Sequence, residues 1–353
     1  MQDPSGTRSH SYTEDMAIVR TKWQWFLLVA AIVFLLGAFP FVSSTYTLHL
    51  ANKWGILIIA ALGLNILVGR AGLISIAHAA FVAVGAYSSA ILVRELSFPF
   101  LLAVPCSGLI AGLIGAFFGL PSLRIKGLYL LAATLGAQFI IEYVINSWTD
   151  LTGGYAGYRV PYATLGGIVF DTHREFFFIT ATVLIVMTFL ASSLNRNRLG
   201  RALIAIRSND VVAEAMGVNL LKYKLLAFFL ACFFAGVAGS LWAHWMGGLM
   251  TMESFTLWGS IWYLGYIIVG GLGSIVGVFA GVLFIDGARE ILTSIITGVG
   301  MSHPEVLVHI APSGDIVFGL ILILFLILEP RGLANRWEIV KSYYRLWPFS
   351  HRA

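Results

Sequence analysis

Charge is scarce in this sequence. Asp, Glu, Lys and Arg make up 11% of the 353 residues, against about 25% in soluble domains, so the chain has too few ionic groups to clothe a water-facing surface. Cysteine is nearly missing as well: Cys106 and Cys232 both lie inside apolar runs, and their spacing suits neither a metal site nor a redox pair, which leaves packing as their reading. No G-x-x-x-x-G-K-[ST] loop is present to cradle a nucleotide. GGLGSIVG, from Gly270 to Gly277, has the glycines but neither the Lys-Ser/Thr nor an acidic follower. Neither a Ser/His/Asp set, nor His/Cys metal spacing, nor a carboxylate pair at catalytic separation can be read, which argues against an enzyme.

What is abundant is apolar. Hydrophobic residues form 59% of the chain and the mean hydropathy is +0.87. A bilayer span takes roughly 20 apolar residues, and runs of that length tile the chain from Trp25 to Leu328. The expectation is an all-α integral membrane protein, a polytopic bundle of about ten transmembrane helices near 24–42, 49–68, 72–93, 99–120, 126–146, 175–194, 222–246, 256–270, 275–297 and 310–328. The spans around 72–93 and 256–297 hold enough Gly, Ser and Thr to be broken or shorter.

The formal net charge of +5 sits in short clusters between the apolar runs, the pattern of cytoplasmic loops and not of a nucleic-acid surface. Counting spans, the N-terminal tail, the Arg70 turn, the Arg124/Lys126 turn, the Arg196 to Lys224 segment and the Arg331 to Arg352 tail fall on one side, which makes both termini cytoplasmic. The other side receives Arg94/Glu95, 147–174, 247–255 and 298–309, with Arg159 and Arg174 as isolated basics. Arg8, Arg20 and Lys22 precede the first apolar run and no small-residue cleavage signature follows it, so a retained first span is expected. The organisation is then a tail over 1–23, a transmembrane domain over 24–330 with a cytoplasmic loop over 195–222, and a tail over 331–353.

Small residues recur at helical spacing in GLIAGLIGAFFG (Gly108, Gly112, Gly115, Gly119) and GSIVGVFAG (Gly273, Gly277, Gly281), where they let helices approach closely in lipid. The stretch Val68 to Ala86 echoes Val269 to Ala288; related halves give such an echo, and shared small-residue composition gives it equally.

One polar stretch stands out, RSNDVVAEAMG from Arg207 to Gly217. Ser208, Asn209 and Asp210 are N-cap candidates, VVAEAM forms about two turns, and Gly217 is a natural terminator. A helix this short is not stable alone in water, so the bilayer surface or another protein must hold it. A surface-lying helix wants length and a basic face, whereas this one carries Asp210 and Glu214 among the small Ala213, Ala215 and Gly217, which suits a protein socket better.

The run GRALIAIRSNDVVAEAMGVNLLKYKLLAFFLACFFAGVAGSL, from Gly200 to Leu241, resembles the signature of the branched-chain amino acid ABC transporter permeases of the LivM type. GLISIAHAAFVAVGAY, RIKGLYLLAATLGAQFIIEYV with LTGG after it, IVGGLGSIVGVFAG and EPRGL agree in order, so the resemblance spans Leu62 to Leu333. It implies a type II ABC importer-like permease in a bacterial inner membrane that forms half of a path for branched-chain or related hydrophobic amino acids. Related permeases serve urea, short amides or aromatic acids. The implied partners are a second, LivH-like permease, two LivG/LivF-like ATP-binding subunits and an external solute-binding protein. ATP and magnesium would sit on those ATPases, with no cofactor in this chain. Glu214, Ala215, Met216 and Gly217 resemble the core of the coupling helix that enters an ATPase cleft, flanked by Arg207, Ser208, Asn209, Asp210 and Ala213.

Ionisable groups inside a membrane are costly and usually face the bundle interior or a wet cavity. His78, in a Gly/Ala-rich span, is read as an interhelical hydrogen bond or a path residue. Glu142 suits a lumen-facing position. Thr152, Gly153 and Gly154 form a flexible outer turn, in substrate contact or merely loose. Asp286, Arg289 and Glu290 share a helix face, where Arg289 would neutralise Asp286; the trio serves as a structural ion pair or a gate. Two rival classes remain: an ion- or proton-coupled carrier that uses His78, Glu142, Asp286 and Glu290 as a relay, and a membrane-embedded enzyme.

Overall fold

A computed structural model describes residues 25–26, 29–30, 33–125, 127–165, 168–302, 313–329 and 331–346. Over these residues the apolar runs form helices. They are α1 (Thr45–Leu64, continued by a wider π turn over Asn65–Arg70), α2 (His78–Glu95), α3 (Phe100–Gly119), α4 (Leu128–Ser147), α5 (His173–Arg196), α6 (Arg198–Ser208), α7 (Asp210–Ala215), α8 (Leu220–Met246), α9 (Leu257–Gly270), α10 (Ile275–Ser302), α11 (Ser313–Leu328) and α12 (Leu333–Leu346). The first expected span is described only in part, with helix over Phe34–Val42, and the polar stretch 298–309 lies mostly outside the described residues.

By length and composition five segments can cross a bilayer: Thr45–Arg70, Phe100–Leu123, Leu128–Ser147, His173–Arg196 and Leu220–Met246. Two broken pairs raise the number to seven. Met252–Gly270 and Ile275–Ile295 are bent by 119° at their break, and Phe318–Leu328 and Leu333–Tyr343 by 47°. Over the described residues the chain is therefore predominantly helical, with the apolar helices of a multi-pass membrane protein. The span expected over 72–93 is shorter than drawn, because helix begins only at His78. Gly72 takes φ +70, and the Ser75 hydroxyl accepts from the Ala77 amide (3.4 Å), so side-chain and turn bonding replaces the helical ladder there.

α8 is the hub, set against α1, α2 and α3. Lipid gives helices no hydrophobic reason to associate, so close contact between small residues must hold them. All four glycines of GLIAGLIGAFFG meet α8: Gly108 lies on Phe233 and Val237, Gly112 on Phe229, Gly115 on Cys232 and Gly119 on Phe228. From its other faces α8 offers Gly236 to Gly85 and Gly239 to the Val82 carbonyl. Cys232 is thus a buried packing residue, and both cysteines are free thiols.

The polar segments collect at two ends. At one end Arg207 donates to the Gly69 carbonyl, Lys224 donates to the Ser122 carbonyl (3.5 Å), and the Gly273 amide donates to Asn65 Oδ1 (2.7 Å). Gly271 lies on Arg331 and Ala334. Asn65 Nδ2 also donates to the Ser274 carbonyl (3.4 Å). Gly69 lies directly on the Gly273 backbone, so the two echoing stretches touch, and each runs from a helix end through a break into a new helix.

At the opposite end the loops add two short ribbons absent from the sequence reading. β1 (Tyr158–Val160) pairs antiparallel with β4 (Gly248–Met250), and β2 (Ala163–Leu165) with β3 (Ile168–Phe170). Tyr158 donates to Glu95 (3.0 Å) under the Arg94 guanidinium, 4.8 Å from its ring. Burial, and then the Glu95 carboxylate, push the Tyr158 phenol up to about 12.

Candidate functional site

The short polar helix lies at the end where the basic segments meet. α6 buries Ala202, Leu203 and Ile206, and Arg207, bonded to Gly69, ties its last turn to the end of α1. Ser208 is used up within α6, donating to the Ile204 carbonyl (3.0 Å). Asn209 is the cap: its Oδ1 accepts from the amides of Val211 (3.1 Å) and Val212 (3.2 Å), satisfying donors that have no intrahelical partner. Gly217, at φ +85, closes α7, with the Val218 amide returning to the Ala213 carbonyl (3.0 Å).

Only Ala213 of α7 points inward. Val211 is 68%, Val212 55% and Met216 80% exposed, and Glu214, Ala215 and Gly217 stand in the open beside them. Asp210 is tethered instead, 3.6 Å from the ammonium of Lys224, which is buried. The result is a small capped knob with an apolar tip, held at its root by Arg207, Asn209 and Asp210.

Inside the bundle, the sequence-predicted His78 opens α2 after the non-helical residues 71–77. Its Nε2 bonds the Ala60 carbonyl (2.8 Å) and its ring meets Tyr263 edge-on at 5.3 Å. The first amides of α2 have no helical acceptors, and hydrocarbon offers no water. Side chains from two other helices replace it: the Ala79 amide donates to Ser260 Oγ (2.8 Å) and the Ala80 amide to Gln138 Oε1 (3.1 Å). Gln138 in turn donates to the Phe255 carbonyl (3.1 Å) and accepts from Ser260 (3.2 Å). Below them the Ile76 amide donates to Thr134 (3.2 Å).

Asp286 does not pair with Arg289. Its Oδ2 lies 2.9 Å from Lys53 Nζ and accepts from Trp54 Nε1 (2.8 Å), both on α1. Glu290, one turn on, lies 3.5 Å from the same ammonium and accepts from the Tyr46 hydroxyl (2.7 Å). The Arg289 guanidinium instead lies 4.8 Å over the Trp262 ring, because the turn of the helix directs it to α9 while Asp286 and Glu290 face α1. Asp286 is 1% exposed and its Oδ1 has no hydrogen-bond partner among the described residues.

Glu142 is half-buried, one turn beyond Gln138 on α4. The turn after α4 carries hydrogen bonds of its own. The Thr152 hydroxyl lies between the carbonyl oxygens of Ile145 (2.5 Å) and Trp148 (2.8 Å) and accepts from the Gly154 amide (3.3 Å). Gly153 and Gly154 take φ +73 and +55, and a side chain on Gly153 would strike the Gly157 carbonyl. Of the four residues named for a relay, the structure brings Asp286 and Glu290 together on Lys53, and places His78 on α2 and Glu142 on α4.

The decisive match is to a family. Residues 46–326 fit the branched-chain amino acid transport system / permease component family. This chain belongs to that family. It is therefore a transport permease component, not an enzyme. It is 33% identical over 290 residues to the high-affinity branched-chain amino acid transport system permease protein LivM of Escherichia coli (strain K12), which covers 75% of this chain and 68% of that protein. A probable branched-chain amino acid transport permease protein LivM of Methanocaldococcus jannaschii is 25% identical, over 68% of this chain and 69% of its own. The LivH permease protein of Escherichia coli (strain K12) is 26% identical, over 80% and 92% respectively. No solved structure matches.

For this permease, sequence reasoning passed over Lys53, Gln138 and Ser260. Lys53 carried a signal, being a lysine within an expected span. Gln138 and Ser260 carried none, since a neutral polar residue in a span gains meaning only once the break at 71–77 shows which amides need acceptors.

Proposed function

We propose that this permease forms half of the membrane path of an ATP-driven importer for branched-chain or related hydrophobic amino acids. It crosses a bacterial inner membrane about ten times, with the tails 1–23 and 331–353 and the loop 195–222 in the cytoplasm. A LivH-like permease completes the path, an external solute-binding protein delivers the cargo, and LivG/LivF-like subunits bind ATP and magnesium. Residues 207–217 dock one of these ATPases.

The observation that carries the reading is the shape of α7. A six-residue helix that exposes Val211 and Val212, with Met216 exposed at its end, spends apolar surface on water unless a protein socket covers it. It is also braced by Arg207 to the Gly69 carbonyl, so force on the knob is passed directly to the end of α1. The test is ATP-driven uptake of leucine by the reconstituted complex. Glu214→Arg together with Gly217→Arg should abolish uptake and release the ATPase on purification, and unchanged coupling would sink the docking claim. Urea, short amides and aromatic acids are the competing cargoes, and the solute-binding protein's ligand decides among them.

A further inference from the structure

The C-terminal helix α12 carries an apolar stripe that the fold covers only at its root. The short link 329–332 joins it to α11, and it turns 47° out of that span's line. α11 stands at the edge of the bundle, since Leu320, Ile323, Ile327 and Leu328 are 60–73% exposed. α12 therefore begins where a lipid-facing span ends. Along it, Leu333, Trp337 and Val340 recur at helical spacing. Leu333 packs on the core, but Trp337 and Val340, further along the same stripe, are exposed. Asn335, Glu338 and Ser342 take the opposite side of the helix, and Ile339 lies off the stripe. Charge over 331–346 is mostly of one sign: Arg331, Arg336, Lys341 and Arg345 stand against Glu338 alone. Arg336 is committed to Glu329, whereas Arg331 and Lys341 stand exposed.

We infer that α12 docks on the anionic surface of the cytoplasmic leaflet, with Trp337 and Val340 at the acyl boundary and Lys341 on lipid phosphate. The inference rests on the cytoplasmic placement of the tail 331–353 for the choice of leaflet. Three features select lipid as the cover. The root of α12 is tied to a lipid-facing span, so the bilayer is already within reach. Trp suits the membrane boundary, where an apolar ring and a polar N–H are both satisfied. The basic excess matches an anionic leaflet. α12 also has the length and the basic flank that α7 lacks for lying on a membrane. Its support reaches the bundle, because an added side chain on Gly271, at the break between α9 and α10, would meet Ala334 and the Arg331 carbonyl. A docked α12 therefore holds that break from the cytoplasmic side.

The test places nitroxide labels at Val340→Cys and Ser342→Cys, each in a Cys106→Ser background. The full chain is reconstituted alone, in vesicles of phosphatidylcholine and in vesicles of phosphatidylcholine with phosphatidylglycerol. In the mixed vesicles the label at 340 should meet oxygen dissolved in the bilayer and be shielded from a water-soluble nickel chelate, and the label at 342 should show the reverse. In phosphatidylcholine alone the shielding at 340 should fall. Lys341→Gln should lower the docked-to-free ratio in the mixed vesicles about fivefold, as loss of one cation near an anionic surface demands. Nickel access at 340 in the mixed vesicles overturns the docking. Shielding at 340 that arises only after the other subunits are added assigns the stripe to a protein and overturns it too. Equal shielding in both vesicles, or no effect of Lys341→Gln, overturns the anionic-lipid assignment. The placement of the tail is judged separately: reaction of Ser342→Cys with an impermeant thiol reagent from the outer side alone removes that placement, whatever the label at 340 reports.

Discussion

Lys53 shows how one side chain sets the meaning of its neighbours. It lies within reach of both Asp286 and Glu290, so the acidic pair on α10 is neutralised from α1 and not from within its own helix. Replacing Lys53 with Met would leave Asp286, already lacking a partner for Oδ1, as a buried uncompensated charge, at a cost of about 3–5 kcal/mol. Thermal unfolding of the purified protein should show this loss, and Lys53→Met with Asp286→Asn should recover most of it. Unchanged unfolding in the single variant would mean that the two groups do not depend on each other. Asn209 acts at the same scale. Asn209→Ala removes the acceptor for two amides and should weaken α7 by about 1 kcal/mol, read as faster hydrogen exchange at Val211 and Val212 while α8 keeps its protection.

At the scale of elements, the glycine ladder of α3 and the centre of α8 act as one surface. Gly236 sits where any side chain would collide with Ala111 and the Ser107 carbonyl. Gly236→Leu should therefore separate α8 from α2 and α3 and lower expression of folded protein, since overpacking in a tight core costs about 1–3 kcal/mol. The same change at Gly136 or Gly319, where nothing stands within 4 Å of an added Cβ, should leave the isolated chain's stability unaltered. Equal damage at Gly136 and Gly236 would show that the close contact is not what holds α8. The break ahead of α2 belongs here too. Its amides are met by Ser260 and Gln138, so Gln138→Leu should destabilise through orphaned donors rather than through lost volume.

For the molecule as a whole, the basic segments meet at one end and the β ribbons lie at the other, which gives topology a simple check. In a Cys106→Ser background, Met216→Cys and Tyr155→Cys, 80% and 84% exposed at opposite ends, should react with an impermeant thiol reagent from opposite sides of intact vesicles. Labelling of both from one side would break the proposed topology.

Much of this was legible in the sequence, because hydropathy and charge are local properties. The helical membrane character, the ordering of segments, the capped helix at 210–215 and the packing role of GLIAGLIGAFFG all follow from composition and spacing along the chain. Tertiary structure alone decided the partners. It gave Asp286 to Lys53 and Trp54 rather than to Arg289, set Ser260 against the Ala79 amide and against Gln138, and brought Lys224 to the Ser122 carbonyl. A polar group in lipid must find its partner wherever the fold supplies one, and residues more than a hundred positions apart in sequence leave no periodic trace of that choice.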